Sequence, residues 1–303
     1  MHSWQLFLLR NQKTTHFKKK LGKVKAMKKY FLGRFNLSAN YSNYSEKEDF
    51  IDKTLRANAF VEEKGYKYIF SGVEKFSYEN NYYFTAFLLK YRSSEEHEVV
   101  NERGEPEKVS VSDEIIGRGR FILDSKTGLI AYTVQGSRIT RKSFENRFSS
   151  IFDKVHNGFF VEARIDSIED RGNFAERIAK MLKIQSIRIV LHPSNPNSDK
   201  IWKELDDRLK AEMVAKYTEQ YDAKKDGPSI QVDKTIEERI AMSEDGYGVT
   251  AATGKNQNNE NVVYKTSDNP QNVQGPDHDI PVQTVMQLVF PAMKRIIDRI
   301  RKQ

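Results

Sequence analysis

The chain has no cysteine among its 303 residues. Disulfides, thiolate metal sites and a cysteine nucleophile are therefore excluded, and a reducing compartment is the natural setting, so a cytoplasmic protein is expected. No apolar run approaches the roughly 18 residues that read as a bilayer span, so no transmembrane segment is expected. No Gly-x-Ser-x-Gly elbow occurs, which leaves a Ser–His reading of His192 without a nucleophile. Nor does any Gly-rich segment run into Gly-Lys-Ser/Thr before a helix. Ile116-Gly-Arg-Gly-Arg120 and Asp245-Gly-Tyr-Gly-Val249 read instead as bulges or tight turns. No repeat of about 20 to 50 residues is present, which excludes solenoids and propellers.

Basic charge is present but unevenly placed. The formal net charge is +8, yet residues 1–26 hold seven Lys and Arg and no acid, leaving 43 basic against 42 acidic residues in the rest. The body is near neutral, so any surface for nucleic acid there must be a local patch. The apolar part of the arm, Met1–Leu9, precedes its charges, the reverse of a secretory signal. Two readings stay open. The arm is a tail for anionic polymers or membrane headgroups, or translation naturally starts at Met27, whose following residues lead directly into a strand.

Hydrophobic residues make up 38% of the chain and include 18 Phe, enough for a sizeable core. The pattern is organised around residues 159–221. Phe159–Ile165 and Ile184–Leu191 alternate with period two, as half-buried strands do. Phe174, Ile178, Met181 and Leu182 between them have helical spacing, with Asn173 as a cap. A second helix is expected from Ser198 along Ile201, Leu205, Leu209, Met213 and Tyr217. Strands joined by a helix are usually parallel neighbours, whereas hairpins are expected at Glu79–Asn81, Asp124–Gly128 and Gly254–Glu260. A strand and short helix are expected over Ile230–Met242. Phe144, Phe148, Ile151 and Phe152 mark a core helix after Thr140. Val285 to Ile300 marks an amphipathic terminal helix, divided by Pro291, with Lys294, Arg295, Arg299, Arg301 and Lys302 opposite its apolar stripe. The fold class predicted is α+β, with mixed or antiparallel sheets, hairpins, a central β-α-β-α unit and packed helices. Three parts are expected: a basic arm over 1–26, a hairpin-rich domain over 27–158 and a second α+β domain over 159–303.

Few residues suggest chemistry. Asp277-His278-Asp279 has metal-ligand composition, but no partner stands at a known spacing, so no metal or cofactor is expected. Glu162, Asp166, Glu169 and Asp170 cluster near a strand end, where nucleases hold divalent ions, yet the accompanying Glu-x-Lys is missing. The cations are more suggestive. Arg118, Arg120, Arg138, Arg141 and Lys142 flank the second hairpin and the following helix start. On one face they would bind phosphate, with Lys255 and Lys265 extending the stripe and exposed hairpin aromatics stacking bases. The bland alternative is a solvated face in a chain that is 30% charged.

His192-Pro-Ser-Asn-Pro196 ahead of a Trp202-bearing helix, with Asp245-Gly-Tyr-Gly248 beyond, resembles an uncharacterised bacterial family found near phage-defence genes. The layout over about residues 27–300 also resembles the RexA phage-exclusion group. The resemblance implies a non-enzymatic component of an anti-phage system that binds DNA without sequence preference, as a homodimer or with a partner defence protein. No site residue carries over from it. Two further readings stay open: a metal-dependent nuclease or hydrolase using the carboxylates near Asp166, and a protein-interaction module.

Overall fold

Everything in the first half of the molecule is built outward from β1 (Met27–Ser38). The computed structural model describes residues 27–38, 44–93, 96–100, 103–110, 113–156, 162–194, 201–277 and 280–301. After β1 come helix α1 (Tyr44–Arg56) and strands β2 (Phe60–Glu63), β3 (Tyr66–Tyr78) and β4 (Asn81–Arg92). The ribbon β5 (Glu96–Val100) and β6 (Pro106–Ser110) precedes β7 (Glu114–Asp124), β8 (Leu129–Thr133) and α2 (Arg141–Val155). Next are β9 (Glu162–Ser167), α3 (Asn173–Ala179), β10 (Lys183–Leu191), α4 (Lys203–Ala211), β11 (Tyr217–Asp222) and α5 (Lys234–Glu244). The order closes with β12 (Gly248–Lys255), β13 (Asn261–Lys265), β14 (Asn272–Pro276) and α6 (Val282–Arg301). This is an α+β fold, and its strand pairs are antiparallel.

The larger sheet has eight strands in the order β14-β1-β8-β7-β4-β3-β2, with β9 also on β1. Both faces are covered, so β1 buries both of its rows. Phe35 and Leu37 face α2, and Tyr30 and Leu32 face α6. On the α2 side Phe35, Phe70, Phe121, Phe144 and Phe152 ring Phe148, with centroids 5.0–6.0 Å from it. Each such burial contributes about 1.5–3 kcal/mol. On the other side Val285, Met286, Val289, Met293 and Ile296 of α6 cover Tyr83, Ile122 and Ala131. Pro291 lies inside α6, which continues through it rather than dividing.

A smaller sheet, β11-β10-β12-β13, carries the second core. Ile187, Ile189 and Leu191 alternate inward onto Phe174, Trp202, Leu209 and Ile240 of the surrounding helices and turn. The expected parallel partnership of residues 162–167 with 183–191 does not form. β9 pairs with β1, from Gly33↔Ser167 to Ser38↔Glu162, while β10 belongs to the smaller sheet. Gly33 permits this approach, since a Cβ there would lie 2.8 Å from Ile165. Consequently β9, β14 and α6 serve the first sheet, and the division between the two sheets does not fall at residue 158. The long helix expected from Ser198 is confined to Lys203–Ala211, because Met213 turns left-handed at φ 54° and Tyr217 opens β11. Over 230–242 only α5 forms, without a strand. All three expected hairpins form, at Glu79–Asn81, Asp124–Gly128 and Gly254–Glu260, and the Glu79–Asn80 turn has positive φ at both residues, as a tight right-twisting hairpin requires.

Candidate nucleic-acid interface

Thr140 starts α2 by accepting a hydrogen bond from the Ser143 amide at 3.2 Å. Burying Phe144, Phe148 and Phe152 turns the opposite flank of α2 outward. That flank, β9 and the end of the β12–β13 hairpin enclose a cleft of about 620 Å³. Five cations line it: Arg141, Lys142 and Arg147 on α2, Arg164 on β9 and Lys265 on β13. Three acids share it, Glu145, Asp166 and Asp268, with the hydroxyls of Ser149, Ser150, Ser167 and Ser267.

The acids are already engaged. Glu145 accepts from the Tyr132 hydroxyl at 2.5 Å and from Ser167 Oγ at 3.3 Å, and Arg141 donates to Ser167 Oγ at 2.7 Å. Burial raises the Glu145 carboxyl above its ordinary range although Tyr132 and Arg141 oppose the shift. Asp166 accepts from Asn36 at 2.9 Å and from Arg164 Nε at 3.1 Å. Arg164 also donates to His192 Nε2 at 3.0 Å, so the imidazole proton sits on Nδ1 and is donated to the Ala215 carbonyl at 3.1 Å. Burial, and then the Arg164 charge, lower the His192 pKa. Arg147 pairs with Glu63 at 2.6 Å. The exposed Lys142 and Lys265 ammonium groups have no ion-pair partner among the described residues.

The single cationic face expected from the sequence does not form. Arg118 and Arg120 share the β7 row of Ile122, which faces α6, whereas α2 covers the opposite row at Phe121 and Leu123. Arg120 is buried over the Phe87 ring and donates to the Ile280 carbonyl at 2.5 Å. Arg118 lies over the same ring, 6.0 Å from its centroid. Arg138 is exposed in the turn before α2, against Gly117. Lys255 ends β12 and donates to the Asn259 carbonyl, at the far end of the hairpin from Lys265. Of the seven cations singled out, the structure brings Arg141, Lys142 and Lys265 together in the cleft. Sequence reasoning missed Arg147, six residues beyond Arg141 on the same helix, and Arg164, whose alternation marked it as outward but not toward what.

The four carboxylates of the nuclease reading do not converge. Glu162 is exposed, and Asp166 is held by Asn36 and Arg164. Glu169 is buried against Arg177, and Asp170 accepts from Gln271 at 2.5 Å. Burial lifts Glu169 to about 7 against the pull of Arg177. No cluster of three His, Asp or Glu able to hold a metal exists among the described residues. His278 and Asp279 lie outside the described residues, as does the arm over 1–26, and Asp277 stands 3.8 Å from Lys28.

A buried junction fixes the wall formed by the smaller sheet. Asp245 is wholly buried and accepts from Trp202 Nε1 at 3.1 Å. It also forms ion pairs with Arg171 and with Arg299 of α6. From β1, Arg34 donates to the Asp245 carbonyl at 3.3 Å and lies over the Tyr247 ring, while Asn36 donates to the Gly246 carbonyl at 2.8 Å. Gly246 is left-handed (φ 84°), and a Cβ there would stand 2.7 Å from the Arg34 Cβ.

No helix among the described residues is long and apolar enough to cross a membrane. A family model described as a domain of unknown function, DUF4747, matches residues 28–279, and the chain belongs to that family. No curated protein matches the chain.

Proposed function

We propose that this protein binds nucleic acid through its phosphates along the cleft between α2, β9 and the β12–β13 hairpin, without sequence preference and without cleaving it. The observation that carries the reading is a pair of ammonium groups, Lys142 on α2 and Lys265 on β13, that line one cleft with its acids already engaged and have no ion-pair partner among the described residues. Arg141 and Arg164 line the same cleft, oriented by Ser167 and by Asp166 and His192. Phosphate contacts of this kind position a nucleic acid without reading its bases. We also assign the protein to an anti-phage defence or phage-exclusion system, acting as a homodimer or with a partner protein. That part rests on the resemblance in layout, not on the cleft.

The test is a salt-titrated gel shift on DNA, with and without Mg²⁺, using the full chain and a chain starting at Met27. Both are expected to shift DNA, with the logarithm of affinity falling by about 0.9 per phosphate contact per decade of salt on duplex. Replacing Arg141 and Lys142 by Gln is expected to lower that slope by about 2. No shift by the chain starting at Met27 would overturn the cleft reading, and Mg²⁺-dependent product would move the protein to the nuclease class.

A further inference from the structure

The smaller sheet has two unlike faces. Its inner row buries the apolar core, and its three tyrosines, Tyr217, Tyr221 and Tyr264, pack against that side. Among the described residues no helix covers the outer row: Val263 is 56% exposed there, and Arg188 and Lys265 are exposed. The register fixes what this face presents. Lys265 stands opposite Ala251, which stands opposite Arg188. Lys183 stands opposite Lys255 at the other end of the strands. Ser186, Thr253 and Val263, none of them charged, form the row between these two cationic rows. One acid, Asp222, shares the face on edge strand β11, where Gln220 donates to it at 2.9 Å.

Geometry sets the size of this platform. Two strand spacings separate Lys265 from Arg188, about 10 Å, and four residues separate the Lys265 row from the Lys255 row, about 13 Å. Lys265 also lines the cleft, so the outer face continues the cleft wall without a break. A duplex carries one charge per roughly 1.7 Å of axis, so a flat cationic area of this size meets several phosphates. Single strands are usually gripped by stacking their bases on aromatic rings. The outer rows offer none, because the tyrosines alternate inward.

We propose that the outer face of the β11-β10-β12-β13 sheet is the second half of the binding surface, and that its occupant is double-helical nucleic acid leaving the cleft past Lys265 and lying across Arg188, Lys183 and Lys255. This rests on the cleft reading and extends it to a substrate class.

The experiment compares the full chain with a Lys183→Gln, Arg188→Gln, Lys255→Gln variant, and with Arg188→Glu alone. Binding is titrated with salt on a short duplex, a long duplex and a long single strand, and circular dichroism confirms that each variant is folded. The triple variant is expected to lower the salt slope on long duplex by about 3 and to leave short duplex unchanged. Arg188→Glu is expected to weaken long duplex in the same direction. Wild-type behaviour of both variants on long duplex, with the parent chain binding, overturns this inference and leaves the cleft intact. Tighter binding of the single strand than of the duplex overturns the substrate class. Failure of the parent chain to bind any of the three overturns both proposals together.

Discussion

Replacing Asp245 by Ala removes the one carboxylate that two buried guanidinium groups share. Arg171 and Arg299 keep only 17% and 18% of their side-chain surface in water, and Asp245 has none. Breaking a buried pair by deleting one partner costs about 3–5 kcal/mol, because the stranded charge cannot recover its hydration. Trp202 Nε1 also loses its acceptor, and an unsatisfied buried donor costs a further ~1–3 kcal/mol. These contributions overlap, and about 4 kcal/mol is the expected loss. At a urea slope of about 3 kcal/mol/M the unfolding midpoint falls by roughly 1.3 M. In a chain starting at Met27, which lacks Trp4, Trp202 is the one tryptophan, so its fluorescence reports this junction while far-UV circular dichroism reports both sheets. The fluorescence transition is expected to move at least as far as the dichroism transition. Asp245→Asn keeps an acceptor for Trp202 and should lose less than the Ala variant. Exchanging all three charged groups for apolar residues of similar volume should recover most of the stability, since buried ion pairs are often no better than packed hydrocarbon. A loss under about 1 kcal/mol for Asp245→Ala would refute the view that this junction joins the smaller sheet to β1 and α6.

Three other outcomes follow from the geometry. Gly246→Ala should destabilise by more than about 1 kcal/mol, since it combines a left-handed backbone with a Cβ 2.7 Å from Arg34, and denaturant melts check it. Phe148→Ala should cost about 3–5 kcal/mol by opening a cavity among its five ring neighbours, read by the same melts. His192 has a folded pKa below its ordinary 6.5. The unfolded chain therefore binds a proton near that pH while the folded chain does not, so stability should hold above about 6.5 and fall as pH drops through and below it. His192→Gln should flatten that part of the stability–pH curve, and an unchanged curve would count against the burial of His192 beside Arg164 as its source.

Local chemistry was legible in the sequence, and long-range pairing was not. The hairpins at Glu79 and Gly128 announce themselves because positive φ restricts residue choice. The Phe144–Phe148–Phe152 spacing likewise marks a core helix whatever it packs on. By contrast, alternation identifies residues 162–167 as a strand but cannot say that β1, far earlier in the chain, is the neighbour. The stripe that runs on to Met213 and Tyr217 misleads for the same reason: tertiary pairing of Tyr217 with Leu191 overrides helical periodicity. The sequence predicts Asn173 as a cap, yet α3 is capped from outside by Glu244, which accepts from the Gly172 and Phe174 amides. At the candidate site, Arg118 and Arg120 share a strand row, a parity that was visible. Which helix covers that row was not. Asp245 looked like a turn residue, because its meaning depends on Arg171, Trp202 and Arg299 meeting it in three dimensions.

The insertion of the smaller sheet has a temporal side. Ile168 donates to the Leu32 carbonyl at 3.1 Å and Gln271 donates to the Ile168 carbonyl at 2.8 Å, so the excursion between them leaves and returns at one point on β1. A ribosome emits chain in order at roughly 5–20 residues per second. Tyr30, Leu32, Tyr83 and Ile122 are therefore synthesised well before Val282–Arg301, the helix that roofs them. For the seconds spent making the excursion, that greasy surface stands bare on the nascent molecule, because its lid is made only after the smaller sheet is complete.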